Sequence, residues 1–137
     1  AGGLSSILLG RADTAQQYGD GRSEENLGRA LTALGAWNKV VVGTKLQLRR
    51  PDFGRARQRV AELLQVSLKR LRRDSLDLIQ QHGRVTDDAS EDSPTAAELS
   101  DIVGDALDWA KQQGLVRHIG FTGLGDALIM LRLKYDT

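Results

Sequence analysis

Residues 56–82 read ARQRVAELLQVSLKRLRRDSLDLIQQH, and the apolar period changes inside that stretch. Ala56, Val60, Leu63, Leu64, Leu68 and Leu71 recur at three- and four-residue spacing, which puts them on one stripe of an amphipathic helix. Leu76-Asp77-Leu78-Ile79-Gln80-Gln81 is instead a run of strand length. Upstream, Lys39-Val40-Val41-Val42-Gly43-Thr44 is a β-branched strand. A helix is expected before it, from an N-cap at Ser23 through Leu27, Ala30, Leu31 and Leu34 to a stop at Gly35. Downstream, Leu99, Ile102, Val103, Ala106 and Ala110 form another helical stripe that Gly114 ends, and Arg117-His118-Ile119-Gly120-Phe121 is a further strand. If the segment around Ala12 closes an earlier strand, strands and helices alternate throughout. Such alternation implies a parallel sheet of the α/β class.

The chain's 137 residues suit one core, and its 40% apolar content with 15 Gly is that of a globular protein. Nineteen basic and eighteen acidic side chains leave a formal charge of +1, so no whole-molecule field draws the chain to nucleic acid or anionic lipid. With no Cys, disulfides, thiolate metal sites and cysteine nucleophiles are excluded, and a cytoplasmic location is permitted. The apolar stretch Leu4 to Leu9 is too short for a signal peptide or a membrane span. The connection from Gly83 to about Glu98, with Asp87, Asp88, Glu91 and Asp92, is expected to be a mobile surface loop. It lacks the alternating acids and the glycine of an EF-hand loop. The basic run Lys69, Arg70, Arg72 and Arg73 suits the C-terminal end of a helix, where cations complement the dipole.

In parallel α/β sheets, ligands bind at the carboxyl ends of the strands. The polar residues expected there are Thr44 and Lys45, His82, Thr122, and, if Ala12 ends a strand, Asp13 and Tyr18. An acid, a phenol, an amine and an imidazole would then converge, a set suited to proton transfer at a carbonyl oxygen. A phenol is a reluctant acid–base group at neutral pH, and a nearby ammonium stabilises its phenolate, a role open to Lys45 beside Tyr18. Asp13 would keep that lysine charged and aimed, and a neutral His82 would orient the substrate oxygen. Gly120, Gly123 and Gly125 do not follow the Gly-x-Gly-x-x-Gly order, which disfavours a Rossmann site.

Sequence context joins these residues. Asp13-Thr14-Ala15-Gln16-Gln17-Tyr18-Gly19, followed by Gly21-Arg22-Ser23-Glu24-Glu25-Asn26-Leu27-Gly28, closely resembles the aldo-keto reductase signature, in which Asp and Tyr stand five apart before a Ser-Glu-x-x-Leu-Gly helix start. The resemblance continues through Val42-Gly43-Thr44-Lys45, Ser67-Leu68-Lys69-Arg70-Leu71, Asp74, Asp77-Leu78, His82 and Gly114 to Gly120, in the family's order. Carried over by motif, the family's acid–base tetrad falls on Asp13, Tyr18, Lys45 and His82, the four residues already selected by their chemistry. The resemblance implies a (β/α)8 TIM-barrel fold and NADPH-dependent reduction of an aldehyde or ketone, with Tyr18 as proton donor and no metal. It places Asp13 and Thr122 at the cofactor, Thr122 standing where the family's fifth strand usually ends in Ser-Asn.

A complete barrel takes about 250 residues, and four to five parallel strands make about half of one. Residues 1–137 are therefore read as a single partial barrel domain. Its partners are expected to be NADP(H), a small-molecule carbonyl substrate and, through uncovered sheet edges, further copies of itself. The alternative is a non-catalytic binding or assembly subunit derived from a reductase, as some family members are channel-associated subunits.

Overall fold

The computed structural model describes residues 10–85, 93–122 and 124–125. The apolar stretch Leu4 to Leu9, the acidic run Asp87, Asp88, Glu91 and Asp92, and Gly123 lie outside the described residues. Four strands, β1 (Gly10–Asp13), β2 (Val40–Leu46), β3 (Leu76–Gln81) and β5 (Val116–Phe121), form one parallel sheet in the order β1-β2-β3-β5. A two-residue parallel pair, β4 (Arg84–Val85) with β6 (Leu124–Gly125), lies beyond the ends of β3 and β5. Helix α1 (Arg22–Leu34) connects β1 to β2, and α2 (Ala56–Leu71) connects β2 to β3. A one-turn α3 (Ala96–Glu98), a π-helical turn at Leu99–Val103 and α4 (Gly104–Gln112) precede β5.

Strand order follows chain order with no reversal, so every crossover steps the same way. Helices connected like this share one side of the sheet, as in a (β/α) barrel, whereas a doubly wound sheet reverses at a switch point. The expected α/β class and partial-barrel architecture hold. The core lies between sheet and helices, with Val42, Leu46, Leu64, Leu71, Ile79, Val103, Leu107 and Val116 all buried. Alternation along the strands sends Gly43 and Lys45 of β2 and their register partners Leu78 and Gln80 of β3 to the other face. Leu78 and Gln80 are half-buried there. That face carries the polar rim.

Two boundaries differ from expectation. Helix α1 starts at Arg22 and is not capped by Ser23, because the chain enters through Gly19, Asp20 and Gly21 at φ of 60°, 55° and 96°. This left-handed entry puts Gly21 at the N-cap, and the Ser23 hydroxyl instead meets Thr14 Oγ1 at 2.6 Å. Strand β2 runs on past Thr44 to Leu46, since its pairing with β3 continues through Lys45↔Gln80 and Leu46↔Gln81. Thr44 and Lys45 are therefore strand residues. The stop at Gly35 is as expected, with φ 62° and its N–H returning to Thr32 O at 3.2 Å.

Candidate active site

Asp13 is the last residue of β1 and pairs in register with Gly43, two residues before Lys45. A Cβ at Gly43 would lie in ordinary contact with both neighbours, 3.4 Å from Leu78 and 3.5 Å from Asp13 Oδ1. Lys45 Nζ lies 3.4 Å from Asp13 Oδ1 and donates to Thr14 O at 3.1 Å. Its side chain is 11% exposed, whereas that of Asp13 is 49% exposed. A nearly buried ammonium thus has one carboxylate and one carbonyl to hold it.

Tyr18 begins the 3-10 turn Tyr18–Gly21 and is 45% exposed. Lys45 Nζ stands 5.2 Å from the centre of its ring, a cation–π distance. On another side the Tyr18 and His82 rings meet nearly perpendicular, with centroids 5.9 Å apart. His82 follows β3, its N–H donating to Leu46 O at 2.7 Å. Its Nδ1 is buried with no hydrogen-bond partner among the described residues. Burial, and after it the charge of Lys45, holds the imidazole below its usual pKa, so the ring is neutral at pH 7. The fold therefore gathers Asp13, Tyr18, Lys45 and His82 at the carboxyl ends of three adjacent strands.

Thr122 follows β5, where its N–H donates to Gln81 O at 3.1 Å. Its hydroxyl donates to Gly83 O at 3.2 Å and accepts from Gly83 N at 3.3 Å. Both of these hydroxyl bonds are to Gly83, the residue that follows His82.

Sequence reasoning missed the polar cluster behind this rim. Glu24, in the first turn of α1, is fully buried. Its Oε2 accepts from Thr44 Oγ1 at 2.7 Å and Ser67 Oγ at 2.6 Å, and its Oε1 from Arg70 at 3.2 Å. Ser67 and Arg70 stand three apart on α2, a helical-face spacing that was legible, but nothing local marks Glu24 as their partner. Of the basic run, Arg70 is thus paired, and Arg73 pairs with Asp77 at 3.2 Å and lies over Trp37. A cleft of about 510 Å³, lined by Glu25, Arg29, Val66, Lys69, Arg70 and Arg72, contains none of the four rim residues.

Among the described residues, no group of three His, Cys, Asp or Glu is placed to hold a metal ion. None of their helices is long and apolar enough to cross a membrane.

The family profile described as "Aldo/keto reductase family" matches residues 11–134. Aldo-keto reductase YhdN of Bacillus subtilis is 42% identical over 74 residues, 51% of this chain and 22% of that protein. L-galactose dehydrogenase of Arabidopsis thaliana is 33% identical over 117 residues, 82% of this chain and 33% of that protein. Among solved structures, an aldo/keto reductase from Klebsiella pneumoniae in complex with NADP and acetate superposes with a TM-score of 0.67 at 26% identity. That match covers 93% of this chain and 38% of the Klebsiella chain. The chain thus spans between about a fifth and two fifths of the length of these relatives.

Proposed function

Because the chain belongs to the aldo/keto reductase family, we propose that it forms the carbonyl-binding and proton-handling part of an NADP(H)-dependent oxidoreductase that interconverts an aldehyde or ketone with its alcohol. On this reading residues 1–137 are one partial barrel domain. The observation that carries it is the half-exposed Tyr18 phenol set between the Lys45 ammonium and the neutral His82 ring.

The donor set fits the nicotinamide end of the cofactor, which the Klebsiella relative holds as NADP. Asp13 presents a half-exposed carboxylate and Thr122 a hydroxyl oxygen, both suited to the N–H groups of a carboxamide. When bound, the reduced nicotinamide supplies the hydride, while the protein supplies position and electrostatics.

Each protein group then has a separate task. Tyr18 hydrogen-bonds the carbonyl oxygen and gives up its phenolic proton as negative charge develops there, and in the alcohol-oxidising direction it takes the proton back. Lys45 steadies the phenolate that this transfer leaves. Asp13 holds the ammonium through their 3.4 Å pair, so the positive charge stays beside the ring. His82, neutral and with no Nδ1 partner among the described residues, contributes a ring nitrogen to orient the carbonyl without adding a second positive charge.

NADPH fluorescence titration and turnover of an aromatic aldehyde test this reading. A complete barrel carrying this segment should bind NADPH and reduce the aldehyde. Residues 1–137 alone should bind on the order of millimolar or weaker, because phosphate and adenosine contacts remote from the reacting carbon supply much of the binding energy. A complete barrel that binds NADPH without turnover, or does neither, would replace the reductase reading with that of a binding or assembly subunit.

A further inference from the structure

Gln16 lies on neither the rim nor the core, yet it bonds in three directions. Its backbone N–H donates to Lys45 O at 3.0 Å. Its side-chain amide donates to Leu63 O at 2.6 Å and to Ser67 Oγ at 2.7 Å, both on α2. Ser67, fully buried, donates in turn to Glu24 Oε2 at 2.6 Å, and Glu24 ties Thr44 of β2 and Arg70 of α2 to the start of α1. The far end of the same loop is confined too, since a Cβ on Gly21 would stand 2.5 Å from the Arg70 guanidinium. The loop that carries Tyr18 is therefore fastened to the lysine strand by its backbone and to the helix layer by one amide.

We propose that Gln16 is a positioning residue which, through Ser67 and Glu24, latches the β1–α1 loop to α2 and so holds the Tyr18 ring against His82 and over Lys45. The Tyr18 backbone is bonded only to nearby residues, its N–H donating to Ala15 O at 3.2 Å and its carbonyl accepting from the Arg22 N–H at the start of α1. Its ring is half exposed. A glutamine amide suits the task because its two N–H groups satisfy a helix carbonyl and a serine oxygen at once. With the amide removed, the loop keeps its backbone bond to Lys45 O and gains freedom to swing the phenol away from the imidazole. The catalytic significance of the latch rests on the reading of Tyr18 as the proton donor, whereas the test below uses neither cofactor nor substrate and so fails or succeeds independently.

The experiment is proton NMR on the 137-residue chain, which has two histidines, His82 and His118, and two tyrosines. The readouts are the cross-ring NOE between Tyr18 and His82 and the pH titration of the His82 ring, with the exposed His118 as internal reference. Gln16→Met and Ser67→Ala should lose the NOE and raise the His82 titration midpoint toward the ordinary imidazole value, because rehydration removes the main cause of its depression. Ser67→Thr, which restores the hydroxyl, should recover both. Gln17→Met, which removes only the exposed bond to Gln47 on the same loop, should leave both unchanged. Because Ser67 is buried, Gln16→Met decides if the alanine variant does not fold. An NOE and a titration unchanged in folded Gln16→Met, or altered equally in Gln17→Met, would overturn the proposal.

Discussion

The rings of Tyr18 and His82 cross at 87° with their centroids 5.9 Å apart, so the phenol helps to wall in the imidazole while its own face is turned to the Lys45 ammonium. One exposed aromatic residue thus touches both polar partners. The arrangement relies on a lysine nearly buried in a strand.

Lys45→Met keeps much of the side-chain volume and removes the charge. Two consequences should appear together. In a complete barrel, carbonyl turnover should fall about 10²–10⁴-fold, the usual contribution of general acid catalysis. In the 137-residue chain, the His82 titration midpoint should rise, since the lysine's charge is one of the two causes that depress it. Steady-state kinetics and an NMR titration check the two arms separately.

His82 also makes stability depend on pH. Its folded-state pKa lies below the unfolded value of about 6.5, so the unfolded chain takes up the proton more readily. Stability from this group is complete above about pH 6.5 and is lost as pH falls toward the depressed folded value. Glu98 and Asp105, whose carboxyls are held low by Arg50 and Arg57, lose their contributions only at more acid pH. Urea midpoints between pH 7.5 and 5.5 should therefore fall in the wild type and fall less in His82→Asn. Equal slopes for the two proteins would remove His82 as the source.

Gly28 is where α1 approaches α2. A Cβ there would lie 2.4 Å from Arg70 O and 3.0 Å from the Leu71 backbone, and these atoms cannot rotate away. Replacing a helical glycine by alanine ordinarily stabilises by about 0.5–1 kcal/mol. Here overpacking, which costs about 1–3 kcal/mol, should win and make Gly28→Ala destabilising. Denaturant unfolding of the variant checks the sign.

Much of this was legible in the sequence, and the exceptions have physical reasons. The bounds of α2 and β3 follow from the change of apolar period between Leu71 and Leu76, a local signal. The start of α1 was misplaced by two residues because Ser23 is a good cap in isolation, whereas the left-handed entry through Gly19 and Gly21 decides where the helix begins. The π turn at Leu99–Val103, closed by Gly104 N–H to Leu99 O, leaves no trace in a 3.6-residue pattern. Asp13, Tyr18, Lys45 and His82 could be grouped because strand ends collect ligand chemistry, and the fold brings them together. The bond from Gln16 to Ser67 spans 51 positions, and no short-range rule reaches that far.

Substitution of Tyr18 by Phe in a complete barrel carrying this segment tests the central claim most directly. The change removes the phenolic oxygen and leaves the ring against Lys45 and His82, so NADPH binding should stay within about twofold of wild type while aldehyde reduction falls by at least 10²-fold. Retention of more than about a tenth of the wild-type turnover by Tyr18→Phe, with the cofactor bound normally, would show that another group delivers the proton.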